Sequence, residues 1–446
     1  MACLIDKKKK VLNIVIKNPA KFSRVIAKEV EVEIPELKEI YNKIRGKLPA
    51  LPDMPFGESN FTRRILESVV LSDRPRLDKY LNNEFVFPAR LELHLGPACQ
   101  CACRFCWRWE SGKWKAGENG LYRKKDNFSL LQEKDITSLF LEFKERGGSE
   151  LFFSGGLEFF TSPLSEHAIR EASRIGIKKI NVYTNGVSDY FDKSDFLELI
   201  VKSVSSIRFS IHANSPATYA FVQMPHKDQK EAESEFEKVR NRIKKLLIER
   251  NSQEGNKRPR ISVSYFVIGD NLKELEGSIF FMKGVGVDEF DIRIDMQEKQ
   301  IWFTKTQEKD LTELINIIKK NSENGKYRPM KVTARIEDPG KMRQELKSQM
   351  AEKCYIPIMK PVITPWGDVY TCCYRAHPAF MAPNYELGRY PKDGSLFDIL
   401  KKKFDSGFIP YTQCKQCTDW EMAYNTCVEK VIEDRNDGIE PTDLPF

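Results

Sequence analysis

The sequence has no apolar run of the roughly 20 residues that a bilayer-spanning helix needs. Its longest early apolar stretch, Val11 to Ile16, is interrupted by Asn13 and is also too short for a signal-peptide core. Membrane-spanning and secreted classes are therefore excluded as expectations, and a cytoplasmic location is expected. A basic patch is missing too. Net charge is +8, with pI near 8.7, but Lys and Arg are interleaved with Asp and Glu, so no nucleic-acid partner is expected. Internal repeats and low-complexity segments are absent. Histidine is scarce, at five residues.

What is present is a long, core-forming chain. Its 446 residues are 41% hydrophobic and 30% charged, which is globular rather than disordered composition and enough for about three structural units. It holds eleven cysteines. Without a secretory signal these read as metal ligands or catalysts rather than disulfides. They are grouped. Cys3 stands alone; Cys99, Cys101, Cys103 and Cys106 form one knot; Cys354, Cys372, Cys373, Cys414, Cys417 and Cys427 form a second. None lies between Cys106 and Cys354, so two metal sites are expected.

Four regions follow from patterning. Residues 1–85 read as helical and of unknown role, with Ile34, Leu37, Ile40, Tyr41 and Ile44 at helical spacing and a helix-breaking Pro-rich stretch from Leu48 to Phe56. Residues 86–300 alternate short apolar strands (Leu91–Leu95, Leu151–Ser154, Ile180–Thr184, Ile207–Ile211, Ile261–Ile268, Phe290–Ile294) with amphipathic helices. That alternation predicts an α/β fold with a parallel sheet, and six strands predict a partial (β/α)6 TIM-like barrel or open sheet. Residues 301–350 read as a helical connector. Residues 351–446 read as a small α+β module and C-terminal tail, with a hairpin turning at Trp366-Gly367-Asp368 and a helix capped by Ser395 and Asp398. Asp368 reads as the turn residue.

The run Cys99-Gln-Cys-Ala-Cys103-Arg-Phe-Cys106 contains C-x3-C-x2-C just after the first strand. Three thiolates on one tight loop suit three irons of a [4Fe–4S] cube and leave the fourth iron open to a ligand. A zinc site is the alternative. With Phe105 before the last cysteine, the motif resembles that of the radical S-adenosylmethionine (SAM) enzymes. The resemblance implies that Cys99, Cys103 and Cys106 hold the cluster, that SAM chelates the open iron, and that Phe105 lies near the adenine. Cys101 departs from the family pattern.

The resemblance extends along the strand ends. Ser154, Gly155 and Gly156 stand where the family contacts the SAM ammonium, with Glu158 displaced by one position from the family's acid and its Pro absent; the other reading of Glu158 is a surface acid. Asn185 follows the third strand as a SAM-side contact or a plain turn. Ser210 and His212 share a face of the fourth strand, where the family binds ribose, and Arg293 ends the last strand. Barrel active sites gather at the C-terminal ends of strands, so these positions converge on one mouth.

The C-terminal group resembles the auxiliary-cluster module of the SPASM and twitch subgroups. Cys354-x12-Gly367-x4-Cys372, followed by Cys414-x2-Cys417, implies one auxiliary [4Fe–4S] cluster held by Cys354, Cys372, Cys414 and Cys417, with a zinc ribbon as the other reading. Sulfatase-maturing relatives have Asp as a base where this chain has Cys373, a departure that counts against the same peptidyl oxidation. Cys373 and Cys427 are candidate hydrogen-atom donors, and otherwise buried small residues. Asp368, Tyr374, Arg375 and His377 are further polar groups of the module.

The implied chemistry is one-electron cleavage of SAM to a 5′-deoxyadenosyl radical, fed by a donor such as flavodoxin or ferredoxin. The radical takes hydrogen from an unreactive carbon, with the auxiliary cluster assisting electron transfer. The single auxiliary cluster favours a small polar metabolite (sugar, aminocyclitol or nucleoside). A ribosomally made peptide is the alternative substrate, and a non-enzymatic iron–sulfur or zinc protein a third reading.

Overall fold

The central sheet is built from strands that alternate between an apolar and a polar side. In the computed structural model the six expected strands are β1 (Arg90–Leu93), β2 (Glu150–Phe153), β3 (Lys179–Thr184), β4 (Ser206–Ser210), β5 (Arg260–Phe266) and β6 (Glu289–Arg293), paired in parallel in that order. One face carries Leu91, Leu93, Leu151, Phe153, Val182, Ile207, Phe209, Ile261, Val263 and Phe290, all fully buried. The other carries Glu92, Phe152, Ser154, Tyr183, Arg208, Ser210, Ser264, Phe266, Asp291 and Arg293, several of them only half-buried.

Helices cover the apolar face. They are α5 (Glu133–Glu145), α6 (Ser165–Arg174), α7 (Ser194–Ser203), α8 (Pro216–Gln223), α9 (Gln229–Ser252) and α10 (Leu275–Val285). In α5, Ile136, Leu139, Phe140 and Phe143 recur at helical spacing and are fully buried; Phe140 meets Phe153 of β2 at 6.2 Å between ring centres. The fold class is α/β, an open partial barrel: the sheet runs on to edges at both ends and does not close.

One edge continues past β6 to β7 (Lys331–Ala334), after helix α11 (Lys305–Glu323). The other is extended by β8 (Val362–Ile363), parallel to β1, then by β9 (Asp368–Tyr370) and β10 (Glu386–Arg389), each antiparallel to its neighbour. The expected hairpin is therefore present, and it is part of the barrel sheet. Gly367 turns it at φ +82, where a Cβ would collide with the Tyr390 carbonyl. Asp368, expected in the turn, begins β9 instead. It is buried because Arg389 Nε donates to its carboxylate at 2.8 Å, and a carboxylate leaves water only when paired. Helix α12 (Leu396–Asp405) starts at Ser395 with the expected capping box. Glu142 of α5 accepts from the α12 backbone N–H groups of Leu396 and Phe397, at 3.0 and 2.7 Å, placing an anion at a helix N-terminus.

The chain divides into two compact units. One holds residues 87–333 and 356–410, as above; the other holds residues 1–86, 334–355 and 411–446. The second unit is helical: α1 (Ala2–Lys17), α2 (Ser23–Val30), α3 (Ile34–Ile44), α4 (Arg74–Leu81) and α13 (Asp419–Asn436). Its core joins Val11, Val15, Ile26, Val30, Leu37, Ile40, Tyr41 and Ile44 to Ile439 beyond α13. The Ser23 backbone N–H donates to Asp434 at 3.1 Å, and Asp434 pairs with Lys430 at 2.6 Å in the interior.

The structure describes all residues except 1, 18–20, 46–65, 72, 107–108, 111–112, 115–128, 254–258, 295–302, 335–353, 374, 377–385, 408–418 and 441–446. Among the described residues no helix is long and apolar enough to cross a membrane.

Candidate functional site

The cysteine loop leaves β1 through Gly96 and is tied down at both ends. A Cβ on Gly96 would collide with the Glu158 carbonyl, so only glycine lets the loop pass there. Glu158 N–H donates to the Ala98 carbonyl at 2.9 Å; Ala102 and Arg104 N–H donate to the carbonyls of Gln223 and Val222, at 2.9 and 2.8 Å, at the end of α8. A loop held by backbone bonds on two sides presents its side chains in a set arrangement.

Cys99, Cys103 and Cys106 are half-buried, whereas Cys101 is fully buried beside the Tyr219 hydroxyl. The thiols of Cys99, Cys101 and Cys103 touch in sequence. That contact and then burial push Cys99 and Cys101 well above the ordinary thiol range. Thiols crowded and raised in this way become thiolates only against a bound cation, whose charge displaces their protons. Among the described residues no three ligand side chains converge on a single-ion site, and a cube asks for something else, since each thiolate binds a different iron. The donor set fits an iron–sulfur cube with one position open.

Around the loop the strand-end residues come together. Glu158, the sequence's uncertain acid, is buried and not a surface acid. Its carboxylate accepts from Thr184 Oγ1 at 2.7 Å, Asn185 N–H at 2.7 Å and Phe160 N–H at 3.3 Å. Burial nevertheless outweighs these bonds and raises it to about 7. Asn185 turns back to the loop, donating to Cys99 Sγ at 3.6 Å and Gln100 Oε1 at 3.3 Å. A Cβ on Gly155 would strike the Leu157 carbonyl, which explains a glycine after β2. Ser154 is buried and donates to Glu92.

On the opposite side Phe105 stacks on Phe266 of β5, 4.5 Å between centres and 14° between planes, and meets His212 edge-on at 4.7 Å. His212 Nδ1 accepts the Phe266 N–H at 2.8 Å, so its remaining proton is on Nε2. Burial, with Arg293 and Arg208 nearby, lowers His212 to about 3, leaving it neutral. Gln223 links Ser210 and His212: it donates to the Ser210 carbonyl at 3.1 Å and accepts the His212 N–H at 2.7 Å. Arg293 Nε lies 3.9 Å from Asp291 on the same strand.

Several residues of this face were missed in the sequence. Glu92 pairs with Lys360 and accepts from His94 Nε2 at 2.9 Å, all within the interior. Burial opposes its charge, but Lys360 and His94 hold it well below the usual carboxylate range. The alternation Leu91-Glu-Leu-His-Leu95 carried the signal, since charges at every second residue of a buried strand mark a polar face. Arg208, two residues before Ser210, carried the same one.

The C-terminal cysteines are spread. Cys354 belongs to the helical unit and Cys372 to the barrel unit. Cys414 and Cys417, with Tyr374 and His377, lie outside the described residues. Cys373 packs half-buried against Val362, Tyr370 and Ala376 at the β8–β9 edge. Cys427 is fully buried in α13, where burial pushes its thiol up to about 12.

Residues 93–282 match the Radical SAM superfamily. No curated protein matches the whole-chain sequence. Among solved structures, Streptococcus suis SuiB bound to S-adenosylmethionine is similar with a TM-score of 0.53 and 13% identity, over 80% of this chain and 77% of that one. SuiB bound to the precursor peptide SuiA is similar at 0.51 and 14% identity, over 80% and 75%. Native anSMEcpe with bound AdoMet aligns at 0.48 and 12% identity, over 78% and 96%. An open α/β barrel with its cysteine loop after β1, matched by the family model over residues 93–282, gives this chain a radical SAM domain and marks it as an enzyme.

Proposed function

We propose that this radical SAM enzyme acts on a peptide, with Cys99, Cys103 and Cys106 holding the SAM-binding cluster. The observation that favours a peptide over the small metabolite first expected is the likeness of its fold to SuiB, a protein solved with a bound precursor peptide. The sheet's open edges also suit an extended chain better than a closed barrel would.

When bound, the cluster and SAM supply the one-electron cleavage that makes a hydrogen-abstracting radical. The chain's own residues then have separable tasks. Cys101, buried and turned toward Tyr219, packs the loop while its three half-buried neighbours bind iron. Phe105 and Phe266 offer stacked aromatic surface for an adenine ring, and neutral His212 can donate from Nε2 beside them. Ser210 is placed for ribose and Arg293 closes the same end of the sheet. Glu158 and Asn185 brace the strand ends against the cysteine loop, with Ser154, Gly155 and Gly156 supplying the close approach for the amino group of SAM. An auxiliary cluster on Cys354, Cys372, Cys414 and Cys417 completes the proposed cofactor set, with a flavodoxin or ferredoxin as electron donor. Cys373 and Cys427 are the candidate thiols to return a hydrogen atom to the substrate radical.

The test is anaerobic reconstitution of the full chain with SAM and a reductant, in the presence of peptides or of aminocyclitols and sugars. Formation of 5′-deoxyadenosine that rises with peptide, with a mass change in the peptide, is expected. A rise only with the small molecules would restore the metabolite reading. Zinc in place of iron, and no 5′-deoxyadenosine, would remove the enzyme reading.

A further inference from the structure

The polar face of the sheet holds a cation that, among the described residues, has no counter-ion. Arg208 of β4 shares a face with Ser210 and His212 and lies deeper along the strand than either. Its guanidinium carbon sits 3.8 Å from the centre of the Tyr183 ring on the neighbouring strand. Its Nε is shut off from solvent and meets no hydrogen-bond acceptor. No carboxylate among the described residues forms an ion pair with it. The other cations of this face are engaged: Lys360 by Glu92, and Arg293 at 3.9 Å from Asp291.

A buried N–H without an acceptor destabilises a fold, so one that keeps it on the polar face of the sheet has a use for it. The Tyr183 ring holds the guanidinium carbon over its centre, and the guanidinium N–H groups remain the means of contact. In-plane forked donors match a planar oxyanion. The charge balance narrows the ligand further. Among the described residues of this face His212 is neutral and Glu92 and Asp291 stand against Lys360 and Arg293, so the single positive charge of Arg208 suits one negative charge and disfavours a phosphate dianion. The proposed SAM-side positions Ser154, Asn185, Ser210 and His212 all stand nearer the C-terminal strand ends, which leaves Arg208, deeper on the same polar face, to the substrate.

We propose that Arg208, backed by Tyr183, anchors a single carboxylate of the substrate on the floor of the barrel. Resting on the peptide reading above, this makes the substrate one with an Asp or Glu side chain near the modified residue.

The experiment uses the full-length protein and two probes, N-acetyl-L-glutamate N-methylamide and its glutamine counterpart, followed by saturation-transfer NMR. The glutamate probe is expected to bind about tenfold more tightly or better, the worth of one charge-assisted contact. In Arg208→Gln that preference is expected to vanish, and in Arg208→Lys to shrink. Equal binding of both probes to the unaltered protein overturns the proposal whether or not the variants fold. So does full displacement of the glutamate probe by methionine, whose carboxylate is that of SAM, since the cation then serves the cofactor. Formation of 5′-deoxyadenosine by the unaltered protein, measured in parallel, separates failure of this inference from failure of the radical SAM reading.

Discussion

Under the proposed function, single residues divide the cysteine loop into working and packing positions. Changing Cys99, Cys103 or Cys106 to Ala is expected to abolish 5′-deoxyadenosine formation and to lower the iron bound by about four per chain, the content of one cube. Cys101→Ala is expected to keep that iron and lose some stability, because the thiol fills buried space beside Tyr219. Iron analysis with product chromatography distinguishes the two outcomes. His212 gives a pH signature. Its folded pKa of about 3 lies below the ordinary 6.5, so the unfolded chain takes up a proton that the folded chain refuses. The stability from its neutral form is full above pH 6.5 and falls as pH drops toward 3, each unit of depression being worth about 1.4 kcal/mol. His212→Gln should flatten that part of the stability curve, measured by urea unfolding at several pH values. Glu158 runs the other way: its pKa is raised to about 7, so its stabilisation is present below pH 4.5 and lost as pH rises through 7.

Among the secondary-structure elements, the β1–β8 pairing is where an extra strand joins the barrel, and Lys360 before β8 pairs with Glu92 of β1 across that seam. Lys360→Met leaves Glu92 buried without its cation. The expected loss is about 3–5 kcal/mol, readable as a lower urea midpoint, with much of it recovered in the double variant with Glu92→Gln. The strands themselves were legible because each is a short run of Leu, Ile, Val and Phe between glycine or polar breaks, and all six recur within a residue or two of the expected limits. The inward faces were less legible. Ser210 and His212 stood out through the resemblance, but Glu92, His94 and Arg208 had to be seen across strands before their partners were known. Asp368 shows the same limit: in a turn-like sequence it reads as a turn residue, and only Arg389, 21 residues on, explains its burial.

Across the whole molecule, residues distant in sequence share a core. Val11, Ile26, Leu37 and Ile40 pack with Ile439, and Ser23 bonds to Asp434. Removing residues 1–44 is therefore expected to uncover the apolar side of the C-terminal helix and to produce aggregation or a clearly lower melting temperature, followed by light scattering and circular dichroism. If both proposed clusters form, the reconstituted full chain should carry about eight irons, four for each cube.

The sequence by itself determined the α/β pattern, the cysteine loop after β1 and the strand-end positions, because these depend on local periodicity and short spacing. Only the tertiary structure decided that Glu158 is buried, that the hairpin extends the barrel sheet, that the two ends of the chain build one helical core, and that Arg208 has no counter-ion among the described residues. Each of these depends on groups brought together from distant parts of the chain, where pairing and desolvation, not local propensity, set the outcome.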